Sequence, residues 1–121
     1  MIDILIQSFI LIDIKNESYI NKDYSIRFYS FSSNQNTTNA LIEYFKKKKY
    51  NLNVNRTWRN KPNFFAPTST VLYYRPKNRK KAQDLARELS RITPFTYAIG
   101  GGIGISEEDK NNTFIIHYLE Q

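Results

Sequence analysis

The segment TVLYYRPKNRKKAQDLARELSRI, residues 70–92, decides the fold class. Its first five residues, Thr70–Tyr74, are β-branched, aliphatic or aromatic, which suits a strand packed on a pleated surface. Pro76 has no backbone donor and stops that strand. Beyond it, Ala82, Leu85, Ala86, Leu89 and Ile92 recur at the i, i+3, i+4, i+7 spacing of one helix face. That stripe predicts an amphipathic helix over residues 78–92. A helix with one apolar side, directly after a strand, packs on a sheet.

Working outward, Ile26–Phe31 reads as a strand with Ile26, Phe28 and Ser30 on one face and Arg27, Tyr29 and Phe31 on the other. Ser32–Asn39 holds only Ser, Asn, Gln and Thr, which favour loops and helix N-caps. A helix follows over residues 38–49, with Leu41, Ile42 and Phe45 on its apolar side. Its closing run Lys46–Lys49 suits the negative end of the macrodipole and reads as a solvated helix end. Leu52 and Val54 alternate with asparagines as a short strand, and residues 56–67 form a loop. Downstream, Phe95–Ile99 reads as a strand that Gly100–Gly104 breaks or bulges. Glu107–Asn112 is a polar turn, and Thr113–Leu119 is the closing strand. From Ser25 the order is β-α-β, loop, β-α-β, β. It predicts an α+β fold, with two helices packed on one face of a four- to five-stranded mixed or antiparallel sheet. A split β-α-β, ferredoxin-like arrangement is the first choice. Residues 25–121 then make a single α/β sandwich domain, with 1–24 an N-terminal strand segment.

In that N-terminal segment Ile2, Ile4 and Ile6, and then Ile10, Ile12 and Ile14, share parity, with Asp3 and Asp13 on the other face. The alternation predicts strands that add to a sheet edge or pair with a second copy of the chain. The stretch is too short and polar for a bilayer span, which needs about 20 mostly apolar residues. It also lacks the basic region and small-residue cleavage site of a signal peptide. A shortened membrane anchor is the alternative.

The 121 residues carry 18 Lys plus Arg against 11 Asp plus Glu, a formal charge of +7. The charge is concentrated: residues 1–23 have a net −2, residues 24–91 a net +12, and residues 92–121 a net −3. Abundant Ile, Asn, Lys and Tyr are what A/T-rich coding produces, so the location of the charge says more than its total. There is no cysteine, which removes disulfides, thiolate zinc sites and cysteine nucleophiles. The one histidine, His117, alternates with apolar residues in a strand and has no second ligand, so no metal is expected. Glu107, Glu108 and Asp109 crowd one turn, whereas carboxylate pairs in catalysis are held apart across a cleft. These counts point away from an enzyme and a cofactor, toward a non-catalytic binding or assembly domain.

Residues 70–89, TVLYYRPKNRKKAQDLAREL, resemble the second half of the LytR C-terminal domain family: a strand ending in two aromatics, a short turn, then an Ala/Leu-striped helix. Ile26–Val54 is similar to the family's first half, so the likeness spans residues 26–89. The family's Asn-Gly turn after the first strand is replaced by Ser32–Asn39, and Gly100–Leu119 falls outside the match. The resemblance implies a protein-interaction module of the bacterial cell envelope, on its periplasmic side, with no catalytic residues to carry over. A cytoplasmic location is the alternative.

Two constellations stand out as sites. Arg75, Lys77, Arg79, Lys80 and Lys81 surround a helix start whose dipole is already positive, which makes sense if an anion binds there. A solvated lysine-rich turn is the competing reading. In the preceding loop, residues 56–67, Arg56, Trp58, Arg59, Lys61, Phe64 and Phe65 interleave cations with aromatics. That chemistry suits stacking on nucleic-acid bases or a protein interface. Gly100–Gly104 lacks the Gly-Lys-Ser/Thr ending of a phosphate-cradling loop. The expected partners are a protein, or a second copy through the N-terminal strand, and an anionic polymer or nucleic acid. The alternative is an RNA-binding domain, or a basic subunit of a larger complex, in which Phe28, Tyr29, Tyr73 and Tyr74 stack bases. No Lys/Arg-Gly-aromatic segment of the RNP1 type is present.

Overall fold

The computed structural model describes residues 21–32, 34–56, 68–93, 96–102 and 104–120. Strand β1 spans Ser25–Ser32, helix α1 Gln35–Lys47 and strand β2 Asn51–Arg56. Strand β3 spans Thr70–Tyr73, a 3-10 turn Pro76–Asn78, helix α2 Arg79–Ile92 and strand β4 Ala98–Gly101. A second 3-10 turn, Asp109–Asn111, leads into strand β5, Thr113–Glu120. The result is the α+β fold expected, with five strands among the described residues in one mixed sheet ordered β2-β1-β5-β3-β4.

The order corrects the split, ferredoxin-like arrangement. β1 pairs directly with β2 in parallel, and β3 pairs directly with β4 in parallel, so neither β-α-β unit has a strand inserted into it. The strand that enters is β5, parallel to β1 and antiparallel to β3. It joins the two units at the centre of the sheet. Thr113–Tyr118 are buried at every position, as a central strand covered on both faces requires.

The helices cover the face that carries Ile26, Phe28, Val71, Phe114, Ile116 and Tyr118, all fully or almost fully buried. From α1, Leu41, Ile42 and Phe45 enter this core, and Phe28 meets Phe45 edge to face at 5.4 Å. From α2, Ala82, Leu85, Ala86 and Leu89 do the same, so the stripe read in the sequence is the buried one. Ser30 Oγ and Thr38 Oγ1, both buried, satisfy each other at 3.0 Å.

Element edges shifted where side chains cap. Asn34 accepts from the Thr37 amide at 3.1 Å, which starts α1 three residues before the expected Thr38. Gly100 and Gly101 are paired within β4 with Leu72 and Tyr73, so the glycine run extends the strand at first instead of breaking it. At Gly102 the Tyr74 ring comes close: a Cβ there would lie 2.5 Å from Tyr74 Cζ, so a larger residue would displace that ring. The expected N-terminal strands fall in residues 1–20, outside the described residues. Among the described residues, no helix is long and apolar enough to cross a membrane.

Candidate basic site at the helix ends

β3 runs opposite to β1, so the end of α1 and the start of α2 fall at the same end of the sheet. The end of α1 is a Schellman motif. The Tyr50 amide donates to the Phe45 carbonyl at 3.3 Å, and the Lys49 amide to the Lys46 carbonyl at 3.1 Å. The Phe45 and Tyr50 rings meet at 6.5 Å, which supplies the hydrophobic contact of that motif. The turn places Lys49 at φ 68°, a left-handed position where glycine is the usual residue. A lysine there costs about 1 kcal/mol against glycine. The run Lys46–Lys49 therefore includes one cation kept at a conformational cost. Lys46 lies 4.0 Å from Glu43, while Lys47 and Lys49 are exposed.

The start of α2 is built differently. The Asn78 amide donates to the Arg75 carbonyl at 2.8 Å and closes the 3-10 turn. The Asn78 side chain, 2% exposed, donates to the Asn111 carbonyl at 2.8 Å instead of capping α2. The first turn of α2 has no acidic residue. Lys77, Arg79 and Lys80 stand exposed, and no ion pair within the described residues engages them. Three cations at a positive helix end oppose folding slightly.

The other two members of the expected anion site are occupied by the protein's own groups. Arg75 donates through Nη2 to Glu107 Oε2 at 2.9 Å and through Nε to Asn111 Oδ1 at 3.3 Å. Glu107 also accepts from Lys110 Nζ at 2.6 Å. Lys110 first and Arg75 second hold its carboxyl below the usual range. Lys81 is half-buried, with Nζ 4.8 Å from the Tyr24 ring centre and 5.3 Å from that of Tyr50. It donates to Asn21 Oδ1 at 2.8 Å.

Asn21 joins the two helices. Its Nδ2 donates to the Lys48 carbonyl at 2.9 Å, at the end of α1, while its Oδ1 holds Lys81 at the start of α2. It is 1% exposed, so both bonds are made away from water. The bridge brings the end of the run Lys46–Lys49 beside the start of α2, although some thirty residues separate them in sequence. Between the helices runs a groove of about 420 Å³ with Tyr44, Lys48, Tyr50 and Lys81 at this end and Asp84 and Glu88 further along. The first lysine run was not part of the expected site, and only the pairing of strands brings it there.

No protein-family model, curated protein or solved structure matches the chain. The geometry of its own residues is what defines the site.

Of the second expected constellation, Arg56 closes β2, paired with Ser30 of β1. Trp58, Arg59, Lys61, Phe64 and Phe65 lie outside the described residues. The four sheet aromatics do not share a face. Phe28 is fully buried under α1, and Tyr73 packs against the same core. Tyr29 sits on the opposite face, edge to face with His117 at 5.6 Å. Burial pushes His117 down to about pKa 4, so it is neutral at pH 7. Among the described residues, no three His, Cys, Asp or Glu side chains come together to hold a metal. The acidic turn is spent on ion pairs: Asp109 accepts from Arg27 at 3.1 Å, as Glu107 does from Arg75 and Lys110.

Proposed function

We propose that this chain is a non-catalytic binding domain whose basic surface at the joined helix ends receives an extended anionic partner, in the first instance an acidic protein segment. The observation that carries this is the bridge through Asn21 from the Lys48 carbonyl to Lys81, which ties the run Lys46–Lys49 to the helix start where Lys77, Arg79 and Lys80 stand exposed. Lysine at the left-handed position 49 and an α2 start that lacks acidic side chains both give up stability for positive charge. The likeness of residues 26–89 to the LytR C-terminal domain family supports a protein-interaction role at the bacterial cell envelope. RNA is the second reading, favoured by the same cations, but stacking on all four sheet aromatics does not support it because Phe28 and Tyr73 belong to the core.

The test is fluorescence anisotropy with labelled polyglutamate and with labelled single-stranded RNA at rising salt. Polyglutamate should bind at about 50 mM salt, weaken steeply toward about 200 mM, and lose affinity when Lys77, Arg79 and Lys80 are all changed to Glu. Binding of RNA alone would move the assignment to nucleic acid. No binding of either probe at low salt would overturn both.

A further inference from the structure

Asn21, the first described residue, is 1% exposed and wedged between the two helix ends. Its Nδ2 donates to the Lys48 carbonyl at 2.9 Å, and its Oδ1 accepts from Lys81 Nζ at 2.8 Å. The next residue is held too, since the Lys22 carbonyl accepts from Asn51 Nδ2 at 2.7 Å. Residues 1–20 are therefore delivered to one point, the mouth of the groove between α1 and α2.

That groove holds about 420 Å³, with Tyr44, Tyr50 and Leu85 among its walls. Its charges are Lys48, Lys81 and Arg87 against Asp84 and Glu88. Both acids already have a cation on their own helix: Asp84 accepts from Arg87 at 3.2 Å, and Glu88 lies 3.8 Å from Arg91. The positive charge left over is at the mouth, where Lys48 and Lys81 flank Asn21. Residues 1–20 carry Asp3, Asp13 and Glu17 against Lys15, a net −2. Glu17 is the acid closest to Asn21, four residues before it. Four residues span about 6 Å as a helical turn and at most about 14 Å extended, so Glu17 reaches the mouth with either backbone.

We infer that residues 13–20 of the chain itself occupy the mouth of this groove, with Glu17 set against Lys48 and Lys81. The basic site then carries a built-in acidic competitor. An acidic segment of another protein arrives from solution, whereas this one is tied to Asn21. A short tether acts as a local concentration on the order of millimolar, which favours the chain's own segment over a free one. The first turn of α2 has no acid of its own, and Glu17 supplies a negative charge beside it. The occupancy stands by itself; its effect on a partner rests on the function proposed above.

Heteronuclear NOE measurements on the isotope-labelled full chain test the occupancy. At about 20 mM salt, where screening is weak, residues 15–20 should be as ordered as α1. Glu17→Lys should release them, and adding Lys48→Glu should restore the order by exchanging the two charges. Residues 15–20 that tumble freely in the natural chain would overturn the inference. So would order that survives Glu17→Lys, or that the exchange does not restore. Order that rises with protein concentration would assign the groove to the segment of a second copy, and would equally overturn it. For the effect on a partner, Glu17→Gln should raise polyglutamate affinity at least ~3-fold. Asp3→Asn removes the same charge far from Asn21 and should leave that affinity unchanged. Equal gains from both variants would reduce the effect to net charge and overturn the competition. If polyglutamate does not bind the natural chain at all, the proposed function fails, while the order of residues 15–20 still decides the occupancy.

Discussion

The two β-α-β units share a plan and differ in how they end. In the first, α1 is closed by local chemistry: Asn34 caps its start and a Schellman turn with an aromatic contact closes its end. Phe28, Phe45, Tyr44 and Tyr50 knit the unit together ring on ring. In the second, α2 begins without a side-chain cap, faces its start with cations, and lies beside a short edge strand without charge. The second unit relies on distant partners, Asn21 and Asn111, to fix its helix start. The contrast separates a scaffold from a presenting surface. Lys49 is the exception in the first unit, since it gives up local stability on the side that faces the second.

Breaking the scaffold should give the largest effect. Phe45→Ala removes a fully buried ring between Phe28 and Tyr50 and should lower unfolding free energy by about 3–5 kcal/mol in urea titrations. The seam between the units comes next. His117, 3% exposed in β5, titrates at about 4 when folded and near 6.5 when unfolded. The unfolded chain therefore takes up the proton first, and stability should fall as pH drops from about 6.5 to about 4, by roughly 2 kcal/mol. Comparing urea midpoints at pH 7 and pH 4.5 for the natural chain and His117→Gln isolates this loss, because the variant lacks it.

Smaller changes sharpen the contrast between the helix ends. Asn34→Ala should cost about 1 kcal/mol, since it frees the Thr37 amide that the cap satisfies. Lys49→Gly should do the reverse, raising stability by up to about 1 kcal/mol. The same variant should bind polyglutamate more weakly. A gain in stability with unchanged affinity would remove Lys49 from the site.

Much of the fold was legible in advance, and the reasons are specific. The stripe Ala82–Ile92 and the alternation Ile26–Phe31 carry their period in the sequence, so both the helix-on-sheet layering and the strand order along the chain could be read. The place of β5 could not be read with the same ease, because a closing strand says nothing of its neighbours. Its one signal was the nearly unbroken apolar run FIIHYL, which marks a strand covered on both faces. The site suffered for the same reason. The cations at the start of α2 were visible, but Arg75 and Lys81 turned out to be engaged by Glu107 and Asn21, partners that lie 32 and 60 residues away. Lys46–Lys49 reads as an ordinary helix end in the sequence; it is β5, parallel to β1 and antiparallel to β3, that sets the two units in opposite directions and brings the end of α1 beside the start of α2.

Whether both helix ends act as one site is decided by a single comparison of polyglutamate affinities. Lys47→Glu with Lys49→Glu alters only the end of α1, and Arg79→Glu with Lys80→Glu only the start of α2. If the joined surface is the binding site, each pair should weaken binding at least ~10-fold at low salt and flatten its dependence on ionic strength. An α1 pair that binds as tightly as the natural chain would contradict the account.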